Sequence, residues 1–144
     1  MLTRSTILKS KSSEYMSEEQ LSFFKDILTE MREQISEDIQ QCRSVLLDND
    51  LEADPIDTAT QEEIKQITLL RVQRDTHTLH EIEQALERIH SKDYGYCIET
   101  GDPIGLPRLL ANPVATLCID AGQNAEFIHR TSGGDSDHNQ YRAA

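Results

Sequence analysis

Glycine and proline are almost confined to the last third of this chain, and their distribution is the feature that most limits the fold. All six glycines lie at position 95 or later, and Pro55 is the only proline before position 100. Because both residues interrupt helices, residues 1–94 contain a single strong breaker, near their centre. The pattern predicts two long helices joined by one turn, followed by a shorter module rich in turns.

The first long helix has a clear start signal and an apolar seam. Ser17 and Gln20 form a capping box, in which each side chain satisfies a free amide of the first turn. Asp38 interrupts the seam, and we expect Ile39 to replace it. The helix should end near Leu47. Apolar residues recur in steps of three and four, as in a coiled coil, at Leu21, Phe24, Leu28, Met31, Ile35, Cys42 and Val45.

The second long helix should occupy residues 58–91. A polar stretch at 71–78 divides its apolar residues into two groups. Each helix has room for roughly 30 residues, or about 45–50 Å of length. Matched lengths and a short connection predict antiparallel packing. The expected seam consists of Ile64, Ile67 and Leu70, and then of Leu79, Ile82, Leu86 and Ile89.

The net charge argues against nucleic acids and anionic membranes as partners. Fourteen basic against 26 acidic residues give a formal charge of −12, which disfavours binding to a nucleic-acid backbone or an anionic membrane. No apolar stretch approaches the roughly 18 residues of a membrane span, and residues 1–15 lack the features of a secretory signal. Three cysteines do not make a disulfide framework. We therefore expect a cytoplasmic protein without sequence-specific DNA binding. We also expect it to be a monomer.

An acidic segment connects the two long helices. Residues 48–63 contain seven acidic residues and no basic one. Such a run is most often a solvated turn. Its place at the far end of a long helical hairpin also fits a functional acidic tip, near residues 48–60. Both interpretations stay open at this point.

The domain plan that follows has four parts: a flexible segment (1–15), the coiled-coil hairpin (16–92), a small globular domain with the last helix (93–130), and a disordered tail (131–144). Within the small domain, residues 92–105 predict a short β-hairpin, 107–111 a brief helix and 118–129 a last helix. Its expected core consists of Tyr94, Tyr96, Ile98, Ile104, Leu106, Leu109, Leu110, Val114, Leu117, Phe127 and Ile128.

Two cysteines of this domain have the spacing of a zinc finger with half of its ligands missing. Cys97 and Cys118 frame 20 residues, but the partner positions of a Cys-x-x-Cys pair hold Thr100 and Ala121. Two thiolates alone do not form a tetrahedral structural zinc site. A distorted site completed by a histidine, such as His90 or His129, is the alternative, although no spacing requires it.

The motifs around these cysteines resemble a known family. YGYC-x-x-x-G-x-x-IG followed by LPRL-x-A-x-P-x-A-x-LCID is similar to the zinc finger of the DksA/TraR family, and Asp54-x-x-Asp57-x-Ala59 resembles its tip motif. The likeness spans roughly residues 14–130, and the missing cysteines resemble the zinc-independent members. It implies a mainly α fold: a long antiparallel two-helix coiled coil, a small zinc-finger-like domain without zinc, and a C-terminal helix.

The resemblance also implies a function. Members of the family bind RNA polymerase, insert the coiled coil into its secondary channel and, with the alarmone ppGpp, inhibit ribosomal RNA promoters. They catalyse no reaction, and this sequence has no phosphate-binding glycine loop and no nucleophile elbow. The alternatives are a transcript-cleavage or elongation factor that uses the same channel, and a cysteine-based redox adaptor.

Individual residues are assigned through the same resemblance. Asp54, Asp57 and Ala59 correspond to the tip that acts on polymerase, although Asp57 could instead cap the second helix. Arg74 and Arg108 are candidate contacts to polymerase or alarmone, with a solvated or ion-paired surface as the alternative. Where the family's alarmone-binding members have other basic residues, this chain has Glu81, Asn112 and Gly122.

Overall fold

The computed structural model describes residues 2–48 and 55–140, with the side chains of 55–57 and 132–140 outside that description. In this part of the chain, five α-helices account for most residues: α1 (Arg4–Leu8), α2 (Glu18–Leu47), α3 (Pro55–Ser91), α4 (Leu106–Ala111) and α5 (Ile119–Gln140). They belong to two compact units. The hairpin is Ser17–Lys92, and the finger module combines Met1–Met16 with Asp93–Ala144. The mainly α fold predicted from the sequence is confirmed.

The hairpin consists of α2 and α3, packed against each other as an antiparallel pair. Ser17 is the N-cap of α2, and its hydroxyl accepts the N–H of Gln20 at 3.4 Å, as predicted. The helix ends at Leu47, also as predicted. In contrast, α3 begins at Pro55, three residues before the expected start. Proline suits the first helical position because it has no N–H to leave unsatisfied.

One half of the hairpin has a well-packed apolar core. Phe24 and Leu28 of α2 and Ile82 of α3 are fully buried, and Ala85 is 3% exposed. Three large side chains and one small one therefore fill the interface in this half. Removing a large one would leave a cavity, at a typical cost of about 2–5 kcal/mol.

The seam predicted for the first half of α3 is wrong. Ile64, Ile67 and Leu70 are 48%, 63% and 66% exposed. The reason is helical phase: nine residues separate Leu70 from Leu79, which is about two and a half turns and places the two on opposite faces. The helix keeps the phase of the Leu79 half. Residues at steps of seven before Leu79 and Ile82 therefore face the partner helix. These are Val72 and Lys65, and Asp75 and Thr68.

Polar residues consequently occupy the seam beyond the apolar core. Asp75 is only 8% exposed, and its carboxylate pairs with Arg74 at 3.3 Å and with Arg71 at 3.7 Å. Arg71 also reaches Asp38 of α2 at 4.0 Å. On α2, Ile39 is buried and takes the place of Asp38 as expected, whereas Val45 is 47% exposed. An ionic layer thus continues the seam where its apolar residues run out.

The start of the chain belongs to the finger module. The sequence predicts a flexible segment at 1–15, but the structure has α1 there, capped by the hydroxyl of Thr3. Ile7 is fully buried, and α1 packs on α4. Tyr15 donates its hydroxyl to the carbonyl of Gly95 at 2.6 Å and accepts the N–H of Gly105 at 3.0 Å. These long-range contacts, which local composition does not reveal, tie the segment to the module.

The turn-rich segment of the module is more irregular than the β-hairpin that the sequence predicts. In the described residues, its pairing is reduced to one antiparallel bridge, between Tyr96 and Pro103. Gly95 has a φ of +90°, and a Cβ there would lie 2.5 Å from the sulfur of Met16. A side chain at this position is therefore strained by the backbone conformation, and it would also require the Met16 side chain to move.

The last two helices agree with the sequence in place but not in length. Helix α4 matches the brief helix expected at 107–111, whereas α5 continues to Gln140, past the predicted end near residue 129. Of the expected core, Ile98 in the turn-rich segment is 64% exposed. Phe127 and Ile128 are 68% and 62% exposed because α5 turns most of its described side chains outward. Among the described residues, no helix has the length and apolar character needed to cross a membrane.

Candidate functional site

The acidic tip is only partly within the described residues. Asp54 lies outside them. Asp57 is the third residue of α3, but its side chain is not described, and Ala59 is exposed on the same helix. Because α3 starts at Pro55, Asp57 lies inside the first turn. The interpretation of Asp57 as the helix cap is therefore wrong. An acidic residue in a first turn still interacts favourably with the helix dipole.

The two candidate arginines have different environments. The Arg74 side chain is 72% exposed and pairs with its neighbour Asp75. Arg108 is partly buried, and its Nε donates to the carbonyl of Leu117 at 2.9 Å. A Cβ on Gly122 would lie 2.9 Å from Nη2 of Arg108. Gly122 therefore leaves room for this guanidinium, which gives Arg108 a structural role within the finger module.

Three of the four finger positions share polar contacts. The Thr100 hydroxyl lies 3.8 Å from Sγ of Cys118 and also hydrogen-bonds the Cys97 sulfur. The N–H groups of Cys118, Thr100 and Glu99 also stabilise the thiolate form of that sulfur. Cys97 is 3% exposed, and both cysteines are free thiols. The backbone thus retains a loop that surrounds one sulfur with donors.

These donors change the acidity of Cys97. Hydrogen bonds from the Thr100 hydroxyl, and then from the Cys118 N–H, lower the pKa of Cys97 to about 6, against the opposing effect of burial. At neutral pH the group is therefore mainly thiolate. Because the pKa is depressed in the folded chain, the thiolate stabilises the fold at high pH, and this contribution is lost as the pH falls through about 6.

Thr100→Val should raise the pKa of Cys97, because Thr100 is the largest cause of the depression. Ultraviolet absorbance of the thiolate, followed from low to high pH, gives the midpoint. Cys97→Ala supplies the background. An unchanged midpoint in Thr100→Val, or a wild-type midpoint near the ordinary value for cysteine, would contradict the assignment.

The fourth finger position does not supply a metal ligand. Ala121 is buried at 3% exposure, so a methyl group occupies this place. The four positions offer two thiols, one hydroxyl and no fourth donor, which does not fit the tetrahedral nitrogen and sulfur set of structural zinc. Among the described residues, no three His, Cys, Asp or Glu side chains come together as a metal site. The described part of the chain thus gives no support to a site completed by His90 or His129.

Sequence reasoning missed three polar side chains with structural roles, two in the finger module and one in the hairpin. The Tyr15 hydroxyl links two backbone segments of the finger module. The Tyr15 ring packs edge-on against the Tyr96 ring, with 5.7 Å between the centroids. Thr100 contacts both cysteine sulfurs. The Asp75 carboxylate is buried in the hairpin seam. Only Asp75 had a visible signal, since stepping back by seven from Ile82 leads to it.

Two protein families match consecutive parts of the chain. The family described as "DnaK suppressor protein DksA, N-terminal domain" matches residues 20–89, which form most of the hairpin. The family described as "Prokaryotic dksA/traR C4-type zinc finger" matches residues 92–127. Consecutive matches to both halves describe a two-part protein of the DksA/TraR type.

Individual relatives agree over most of their length. The "RNA polymerase-binding transcription factor DksA" of Salmonella typhimurium is 37% identical over 122 residues, 84% of this chain and 81% of that protein. The protein of the same name from Haemophilus influenzae is 38% identical over 125 residues, 86% of each chain. The solved structure of transcription factor DksA2 from Pseudomonas aeruginosa superimposes with a TM-score of 0.80 and 39% identity, over 89% of this chain and 99% of that one. The chain belongs to the DksA family.

Proposed function

We propose that this protein binds RNA polymerase through the secondary channel and regulates transcription initiation. The observation that carries the proposal is the paired family match over residues 20–127, together with relatives that are named for polymerase binding. The long hairpin of 30- and 37-residue helices supports it, since such a rod can reach into a deep channel. The charge of −12 fits a factor that acts on a protein and not on DNA.

The tip of the hairpin is the part proposed to act on polymerase. Asp54 and Asp57 would bring carboxylates close to a catalytic centre that holds Mg²⁺, a cation that prefers oxygen ligands. Ala59 is small and exposed, so it would let the tip approach that centre closely. The factor itself catalyses no reaction in this proposal, and it acts in the cytoplasm as a monomer.

The regulated step is proposed to be of the stringent-response type, with inhibition of ribosomal RNA promoters. The alarmone ppGpp is the proposed co-effector, and Arg74 and Arg108 are the candidate contacts. Arg74 is the more accessible of the two: its side chain is 72% exposed although it pairs with Asp75, whereas Arg108 is partly buried and donates to the Leu117 carbonyl. Arg74→Gln should therefore weaken the response to alarmone more than it changes folding.

Transcription with purified polymerase tests this proposal. A ribosomal promoter should be inhibited by the protein, and the comparison with and without ppGpp shows whether the alarmone is needed. Cleavage of the RNA 3′ end would identify a transcript-cleavage factor instead. If the protein affects neither reaction, and its cysteines change oxidation state under mild oxidant, the redox adaptor would be favoured.

Zinc independence is the second part of the proposal, and it is supported by the donor set at Cys97, Thr100, Cys118 and Ala121. Protein purified from zinc-replete medium should contain substoichiometric zinc. Its melting temperature should not change with a chelator, and protein from which the chelator has been removed before the assay should inhibit the promoter as before, because loss of a metal that supplies no folding energy does not unfold the protein. One equivalent of zinc with a melting temperature that falls on chelation would contradict this prediction.

A further inference from the structure

A groove with several basic side chains lies within the hairpin, and none of the tip or finger residues discussed above lines it. It has a volume of about 270 Å³ and is lined by Lys25, Thr29, Arg32, Leu86, Ile89 and His90. We call it the basic groove. The first three residues come from α2 and the last three from α3. Lys25 and Arg32 are seven residues apart, so they project from the same face of α2 about two turns from each other.

The charge of this groove contrasts with that of the chain. The protein as a whole carries −12, whereas the groove has an ammonium, a guanidinium and an imidazole, and none of its lining residues is acidic. Cationic groups that share a small concave surface reinforce one another's potential. The groove can therefore attract an anion to a molecule that otherwise repels it.

The other lining residues decide what kind of anion fits. Leu86 and Ile89 are half-buried and form an apolar wall. The Thr29 hydroxyl donates to the carbonyl of Lys25 at 2.8 Å, so its proton is already used and charge recognition falls to the basic side chains. A ligand that suits both parts has a compact anionic group and an apolar or ring-shaped remainder.

We propose that the basic groove binds a phosphorylated small molecule, with the phosphate held by Lys25 and Arg32 and the remainder lying on Leu86 and Ile89. A guanidinium fork and an ammonium together match the several oxygens of a phosphate. The volume is near the lower end for small-molecule sites. It therefore suits a partly inserted small molecule better than an extended acidic protein segment. The site is separate from the proposed tip, and its test needs no polymerase.

Titration of the full-length protein with three probes tests the ligand chemistry. We expect ADP to bind more tightly than pyrophosphate, which lacks a ring, and adenosine, which lacks phosphate, to show no saturable binding. Amide chemical shifts of the lining residues should change together during the ADP titration. Binding should also weaken with added salt, because the partners are charged and partly exposed.

Matched variants test the position. Lys25→Gln and Arg32→Gln should each weaken ADP binding by roughly tenfold, since each removes a charge-assisted hydrogen bond. Arg43→Gln changes the net charge by the same amount from an exposed position on α2 outside the groove, and it should leave binding unchanged. Melting temperatures of all variants show whether the hairpin remains folded.

Several results would overturn the proposal. These are the absence of saturable ADP binding, equal weakening by Arg43→Gln, adenosine binding as tight as ADP binding, and pyrophosphate binding as tight as ADP binding. A glutamate-rich peptide that binds more tightly than ADP would also overturn it, because the groove would then recognise an acidic protein segment.

Discussion

Replacing Asp57 by Asn is expected to abolish the effect of the protein on transcription initiation, with little change in its affinity for RNA polymerase. The substitution removes one negative charge and keeps nearly the same shape. If the tip acts by placing carboxylates close to a Mg²⁺-bearing centre, loss of the charge removes the action. The long helices that would provide most of the contact area are untouched. Promoter inhibition and polymerase binding, measured side by side, separate the two effects.

The substitution should have little effect on folding, because Asp57 lies in the first turn of α3, outside the part of the hairpin that holds the apolar core. The lost interaction with the helix dipole is worth about 0.3–1 kcal/mol, so the helix content should barely change. Glu62→Gln is a matched control: it removes one charge from an exposed position nearby on α3. Full inhibition by Asp57→Asn, or equal loss in Glu62→Gln, would refute the specific role of Asp57.

Local signals predicted both ends of α2 better than the packing face of α3. The Ser17 cap and the end at Leu47 needed no knowledge of distant contacts. The seam predicted for the first half of α3 is wrong because it follows the apolar residues and not the helical phase. Leu70 and Leu79 are equally hydrophobic, yet they lie on opposite sides of the helix. Which of the two faces inward is decided by the partner helix, where Phe24 and Leu28 are buried.

The finger module shows a second limit of sequence reasoning. Its expected core was a list of nearby apolar residues, and it included Ile98 and Phe127, which are 64% and 68% exposed. Part of the real core comes from residues about 90 positions earlier, through Ile7 and Tyr15. Contacts at this separation leave no periodic signal in the sequence.

The candidate sites divide in the same way. Asp54, Asp57 and Ala59, and the positions Cys97, Thr100, Cys118 and Ala121, could be selected from motifs because their spacing along the chain is short. The basic groove could not, since Lys25 and His90 are 65 positions apart and meet only when α2 and α3 pair. A motif therefore finds a site built by one segment, whereas a site shared by two helices requires the fold.

Replacing Tyr94 by Ala is expected to unfold the finger module and to leave the hairpin helices in place. Tyr94 is fully buried, and its hydroxyl donates to the carbonyl of Pro113 at 2.6 Å. Loss of the ring should cost about 3–5 kcal/mol, a large part of the stability of a small domain. Tyr94→Phe keeps the ring but removes the donor from a buried carbonyl, at about 1–3 kcal/mol. Hydrogen exchange of amides in the two units distinguishes local from global unfolding.

This experiment also decides what holds the module together. If packing around Tyr94 replaces the missing zinc ligands, Tyr94→Ala should lose protection in the module whether or not zinc is added. Phe127→Ala, at a side chain that is 68% exposed, should change stability by less than about 0.5 kcal/mol. Recovery of Tyr94→Ala on addition of zinc would show that a metal, held by at least one ligand beyond the four finger positions, stabilises the module. Equal damage by Phe127→Ala would show that α5 belongs to its core.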